Sequence, residues 1–323
     1  MILVLGSILT LTTGDIPWSR VWPGIVDRIF NHSYQWNPLL DERLPRLIVI
    51  LCTGSSLAVA GAVMQAIFQN PLASPSVLGI SCGGSLCVVI AFVLELNNSY
   101  PYAIPSSAVL GCLATLLIIF ALARRQASSL NSLILAGIAL STLLIAIQGA
   151  ILYALRDNWH LIQTLTEWSA GSTIDRNWEH VHMQLPLTVV GLFGCLAYRR
   201  ELDILALGEE EAKNLGIEVD AVRWRLFLCV ALLIGGAVAS VGIIAFFGLV
   251  LPHIVRSFNG PGNYSLIPLC VLSGGAILLG IDFIIRIFSI HIFSIGNVSA
   301  ILGGIFFFIL LLGPRRNEEI YVS

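Results

Sequence analysis

The sequence predicts an all-α fold: a polytopic membrane helical bundle of about ten transmembrane helices, some short or broken. Three observations predict it. Of 323 residues, 57% are apolar and 11% charged, with a mean hydropathy of +0.89, whereas a water-soluble domain carries roughly 25% charged residues. Uncharged stretches long enough to cross a bilayer recur from end to end, and the basic residues between them are unevenly shared among the connections. Such a chain lacks the polar surface to cover a globule in water, which excludes an ordinary soluble enzyme.

A hydrocarbon core of roughly 30 Å needs about 20 helical residues. Stretches free of Asp, Glu, Lys and Arg run over 1–14, 47–94, 96–123, 126–155, 180–198, 226–255, 257–281 and 287–314. Residues 1–14 would reach only about 21 Å, so the first span is unusually short or its beginning is truncated. No basic flank precedes it, which argues against a cleaved signal peptide. The stretch 47–94 is twice what one crossing uses and must fold back. Asn70-Pro71-Leu72-Ala73-Ser74-Pro75 is the break, because two prolines remove donors and push the preceding residues out of the helical region. Two spans follow, 47–68 and 76–94.

Orientation rests on the basic residues. Arg124, Arg125, Arg199, Arg200, Lys213, Arg223, Arg225, Arg256, Arg315 and Arg316 can share one side, against Arg20, Arg28, Arg43, Arg46, Arg156 and Arg176 on the other. The richer side is expected to be cytoplasmic and to hold both termini. That requires an even number of crossings after the 199–225 loop, so 226–255, dotted with Gly235, Gly236, Gly242 and Gly248, is expected to form one span and a shorter broken one near 246–258. The total is ten. The polar gaps 15–46 and 199–225 are too short to bury a core of their own, leaving residues 1–323 as a single transmembrane domain.

Other classes are narrowed by single residue types. The seven cysteines all lie in apolar stretches without C-x-x-C spacing and are expected to be small hydrophobes. The lone lysine, Lys213, follows Ala212, so no G-x-x-x-x-G-K-[ST] phosphate loop exists in this sequence. If transport here is driven by ATP, another chain binds ATP and Mg. A net charge of -2 without a basic run gives no expectation of nucleic acid. His253 and His291 have no partner at ligand spacing, and no metal site or cofactor on this chain is expected. Trp159, Trp168 and Trp178 in the polar stretch 157–179 suggest an interfacial belt, with a re-entrant turn at Gly171.

More specific strings accompany this pattern. They are Arg43-Leu44-Pro45-Arg46, Ala60-Gly61-Ala62-Val63-Met64-Gln65, Asn70 to Pro75, Leu78-Gly79-Ile80-Ser81, Leu135 to Leu140, Ala206-Leu207-Gly208 with Leu215-Gly216, Phe247 to Arg256, and Ile295 to Gly304. In order and spacing, from about residue 43 to 312, they resemble the FecCD-like permeases of bacterial ATP-binding-cassette importers. The chain departs at Ser294 and at Gly304-Ile305, where that family usually carries proline.

The resemblance implies a homodimer in the bacterial inner membrane, embedded in lipid, with two separate ATPase subunits and a periplasmic substrate-binding protein as partners. It implies an iron-siderophore or related iron chelate as cargo, with haem or cobalamin as the alternative. Residues 205–217 have a reading of their own: three glutamates in the first turn after Gly208 favour the positive helix end, and Gly216 suits a left-handed cap. They predict a short helix outside the bilayer. The resemblance makes this loop the ATPase coupling element, with Leu205, Leu207, Gly208, Glu209, Glu210, Glu211, Leu215 and Gly216 as its residues; a solvated connecting helix is the plainer reading.

On the opposite face the resemblance gives Arg43, Arg46 and Arg286 the docking of the binding protein, where a guanidinium suits a carboxylate. Snorkelling is the plainer reading for Arg43 and Arg46. For Arg286 it is neutralisation of Asp282, four residues earlier. Asn70, Leu72, Ser129, Leu130 and Asn131 are implied as the cytoplasmic gate, with helix capping as the alternative. Small residues from Gly54 to Gly61, Gly235-Gly236 and Gly274-Gly275 permit close helix approach, within one chain and between copies. An ion-coupled carrier would want ionisable relays at membrane depth, yet only Glu95 and Asp282 come near it. An intramembrane enzyme would want paired carboxylates or H-E-x-x-H, which the sequence lacks.

Overall fold

The computed structural model describes residues 2–12, 18–30, 36–96, 100, 102–125, 130–260, 262–288 and 293–312. Among them lie fourteen α-helices and no strand. Helices α1 (Ile2–Thr12) and α2 (Trp18–Phe30) precede a π-helical turn at Pro38–Arg43. Then come α3 (Leu44–Ile67), α4 (Ile80–Val93), α5 (Ala103–Arg125), α6 (Leu130–Ala154), α7 (Trp159–Ser169) and α8 (Trp178–Ala197). The chain continues through α9 (Arg199–Leu205), α10 (Glu209–Asn214), α11 (Val219–Val241), α12 (Phe247–Asn259), α13 (Asn263–Ile287) and α14 (Ile295–Leu312).

Six segments, Pro38–Ile67, Ala103–Leu122, Ser132–Ala154, Trp178–Ala197, Val219–Val241 and Asn263–Ile287, are long and apolar enough to cross a membrane; Leu3–Thr12, Ile80–Val93 and Ile295–Leu310 are shorter apolar helices. With α12 they match the ten predicted spans, four of them short. The predicted breaks also appear. The chain leaves α3 at Ile67, passes a 3₁₀ turn at Pro75–Leu78 and enters α4 at Ile80. After α11 it runs unhelical to Phe246, whose φ of +62° marks the bend into α12.

Helix α3 is the axis of the bundle. Asn37 accepts the Leu39 and Leu40 amides at 3.0 and 3.3 Å, fixing the turn that leads into it. Twenty of its residues between Pro45 and Ile67 are buried, among neighbours α13, α11, α12 and α8. It crosses α13 closely at Gly54: a Cβ there would run into the Gly274 carbonyl, and one on Gly274 into the Gly54 carbonyl. Neither position tolerates a side chain. Two hydroxyls on α3 are bonded across the crossings, Ser55 Oγ donating to Val271 O at 2.7 Å and Thr53 Oγ1 accepting from Gln184 Nε2 at 2.7 Å. Gly235 faces Val109, Gly236 faces Leu187 and Gly275 faces Leu51. Intrachain packing therefore accounts for close helix approach at these small residues.

Three helices fall where the sequence analysis placed only polar connections: α2 in the first gap, α7 in the tryptophan-rich stretch and α9 at the head of the 199–225 loop. Helix α7 ends at Ser169, two residues before Gly171, whose φ of +76° lies where the re-entrant turn is expected, and Trp178 Nε1 donates to Leu40 O at 2.9 Å.

Candidate functional site

Two places on the bundle gather the predicted functional residues. The first is the hairpin α9–α10. Glu209, Glu210 and Glu211 form the first turn of α10, beside its unsatisfied amides, and the chain leaves through Gly216 at φ +81°, as the sequence predicts. Glu209 accepts Lys213 Nζ at 2.8 Å and Arg223 Nη2 at 3.0 Å; Arg223 is buried and also reaches Asp220 at 3.2 Å. The hydrogen bond from Lys213 is the main cause that holds the Glu209 carboxyl below its ordinary range; burial, next in size, opposes it, and the hydrogen bond from Arg223 adds to the lowering.

This pairing clips the hairpin to the foot of α11. Its base is apolar, with Leu202, Leu205 and Ala212 buried. Its crest is not: Leu207 is 65% and Leu215 62% exposed, flanked by exposed Glu210 and Glu211. Leu205, grouped by the sequence with the crest, turns inward instead. Beside the hairpin, Asn70 and Leu72 are exposed in the break after α3, where Asn70 Oδ1 accepts the Leu72 amide at 2.9 Å. Ser129 lies outside the described residues; Leu130 and Asn131 open α6.

The second place lies at the other end of α3. Asp282 on α13 is 1% exposed, accepts hydrogen bonds from two other segments and is ion-paired with a residue of its own helix. Arg46 Nη2 donates to its Oδ1 at 2.7 Å, Thr173 Oγ1 donates to the same oxygen, and Arg286 Nε stands 3.3 Å from Oδ2. Two guanidinium groups around one buried carboxylate leave a net positive centre. The Arg286 side chain is 22% exposed and that of Arg46 13%. Arg43, grouped with them by the sequence, is buried, and its Nη1 donates to Leu11 O at 3.0 Å on α1. A partner could reach it only by breaking that contact. The predicted Arg286–Asp282 pair is present; Arg46 and Thr173 as its companions were not foreseen, since nothing local links residues 46, 173 and 282.

The profile of the FecCD transport family matches residues 1–313. The chain belongs to the FecCD transport family. Among its relatives are the vitamin B12 import system permease protein BtuC of Yersinia enterocolitica, 35% identical over 96% of this chain and 90% of that one. The hemin transport system permease protein HmuU of Yersinia pestis is 38% identical over 88% and 86%. The Fe(3+) dicitrate transport system permease protein FecD of Escherichia coli is 34% identical over 96% and 95%. A solved chain described as a metal-chelate type ABC transporter in an inward-facing conformation superposes with a TM-score of 0.84 at 29% identity, covering 96% of each chain. The FecCD family match spans both the hairpin and the buried arginine centre, so the two sites lie within the shared architecture.

Proposed function

We propose that the chain is the membrane-spanning permease subunit of an ATP-binding-cassette importer, moving an iron chelate across the bacterial inner membrane. The observation that carries this is the hairpin: an anchored base and an exposed crest of two leucines among carboxylates, in a chain whose relatives are import permeases. Two copies enclose the path, and a separate ATPase subunit grips each crest; ATP and Mg are bound on that subunit. No covalent step belongs to this chain. A periplasmic binding protein seats its carboxylates against the outer centre, where Arg286 is the accessible cation and Arg46 the one behind it. Asn70 and Leu72, at the hairpin's side, gate the inner mouth together with Ser129, Leu130 and Asn131. Both termini face the cytoplasm, as an even number of crossings and the basic loops require.

The cargo is an iron-siderophore or related ferric chelate. Haem or cobalamin is the second reading, favoured by the relatives that carry them. Proteoliposomes holding the permease, its ATPase and its binding protein decide among the three. ATP-dependent uptake of a ferric chelate in preference to hemin and cobalamin is expected; preferential uptake of either of the others would replace the first reading.

A further inference from the structure

The hairpin does more than hang from the bundle. Helix α9 packs against both α3 and α13, and each contact carries a specific polar tie. On one side Gln69, just past the end of α3, donates its Nε2 to Leu205 O at 3.0 Å, at the last turn of α9. Gln69 itself sits at φ +48°, a conformation a non-glycine residue keeps only where its surroundings hold it. On the other side Asp203 accepts the Asn263 amide at 2.5 Å. That amide opens α13, whose own N-cap, Gly262, offers no side chain, so a carboxylate from α9 caps the long helix in its place. Arg199, one turn earlier on α9, lies 3.7 Å over the Tyr264 ring.

The two helices so held are also fastened to each other along their length. They cross at Gly54 and Gly274, bond through Ser55 and Val271 one turn away, and join at the outer end through Arg46 and Asp282. A pair interlocked at its glycine crossing, bonded beside it and joined at its outer end moves as one body. We propose that Gln69 and Asp203 are positioning residues that hand displacement of the hairpin to the α3–α13 pair. Motion at the inner crest is thereby delivered to the outer arginine centre and, through Gln69, to the segment containing Asn70 and Leu72. This rests on the ATPase-coupling reading above and adds the route by which coupling leaves the hairpin.

Hydrogen exchange on the membrane-reconstituted complex with its ATPase, compared with and without ATP and vanadate, tests it. In the natural chain, nucleotide is expected to change exchange at 206–218, at 70–79 and at 171–177, the last held to α13 through Thr173 and Asp282. In Gln69→Met combined with Asp203→Ala, the response at 206–218 persists while those at 70–79 and 171–177 fall several-fold. Asp203→Asn, which keeps an acceptor for the Asn263 amide, behaves as the natural chain.

A full response at 171–177 in the double variant would overturn the proposal. So would loss of ATPase association in that variant, because the ties would then only shape the hairpin. A natural chain responding at 206–218 but not at 171–177 would also overturn it, while leaving the coupling reading intact. No response at 206–218 in the natural chain would sink the coupling reading, and this proposal with it.

Discussion

Arg46 donates to Asp282 at 2.7 Å across 236 residues of sequence, joining, at the end away from the α9–α10 hairpin, the two helices that cross at Gly54 and Gly274. The carboxylate is 1% exposed, so its charge is tolerable only because Arg46, Thr173 and Arg286 surround it.

Replacing Asp282 by alanine leaves two largely buried guanidinium groups facing each other. The expected loss is about 3–5 kcal/mol, the usual cost of orphaning a buried ion-pair partner. Thermal unfolding in detergent should show it as a clear fall in Tm. Arg46→Ala should cost less, because Arg286 still faces the carboxylate. An unshifted Tm for Asp282→Ala would mean that the centre is solvated.

The Gly54–Gly274 crossing leaves no room for a methyl group, since the obstacle on each side is backbone. Gly54→Ala and Gly274→Ala are therefore each expected to destabilise by about 1–3 kcal/mol. Gly149 and Gly304, also helical, would point an added Cβ into open space. Alanine there should be neutral or stabilising by up to about 1 kcal/mol. Equal effects at all four positions would remove the crossing as the organising contact.

Acid should loosen the hairpin. Because Lys213 and Arg223 hold the Glu209 carboxyl below its ordinary value of 4.5, its contribution is complete above that value and disappears as pH falls through the lowered folded one. Limited proteolysis at 206–218 should accelerate only below about pH 4.5. Glu209→Gln should be open already at pH 7 and nearly insensitive to that change. A hairpin opening between pH 6 and 8 would point to some other group.

The crest can be altered without touching the core. Leu207→Asp with Leu215→Asp, or charge reversal at Glu210 and Glu211, should change the unfolding free energy by no more than about 0.5 kcal/mol, as for other exposed positions. Affinity for the ATPase subunit should fall at least about tenfold, equivalent to 1.4 kcal/mol. Unchanged association would leave the hairpin a solvated connection.

The spans were legible because twenty uncharged residues have few soluble alternatives, and the breaks because Pro71, Pro75 and the glycines near 242 interrupt them. Helices α2, α7 and α9 were not. The first and last carry charges within a turn or two of each other, as in Arg199-Arg200-Glu201-Leu202-Asp203, and α7 is amphipathic within a polar stretch; they gain their order from packing rather than from hydropathy. The four-residue spacing of Asp282 and Arg286 is visible in sequence, but the approach of Arg46, Thr173 and Gln69 to their partners depends on tertiary folding alone. The burial of Arg43 and Leu205 is likewise a product of packing, and their neighbours in sequence gave no sign of it.

The most direct measurement loads proteoliposomes with a ferric chelate outside, bearing this chain with or without the ATPase, and drives them with ATP or with an imposed ion gradient. Accumulation should require the ATPase, ATP and an intact hairpin crest together, and no gradient should substitute. Accumulation by this chain alone down an ion gradient would contradict the account.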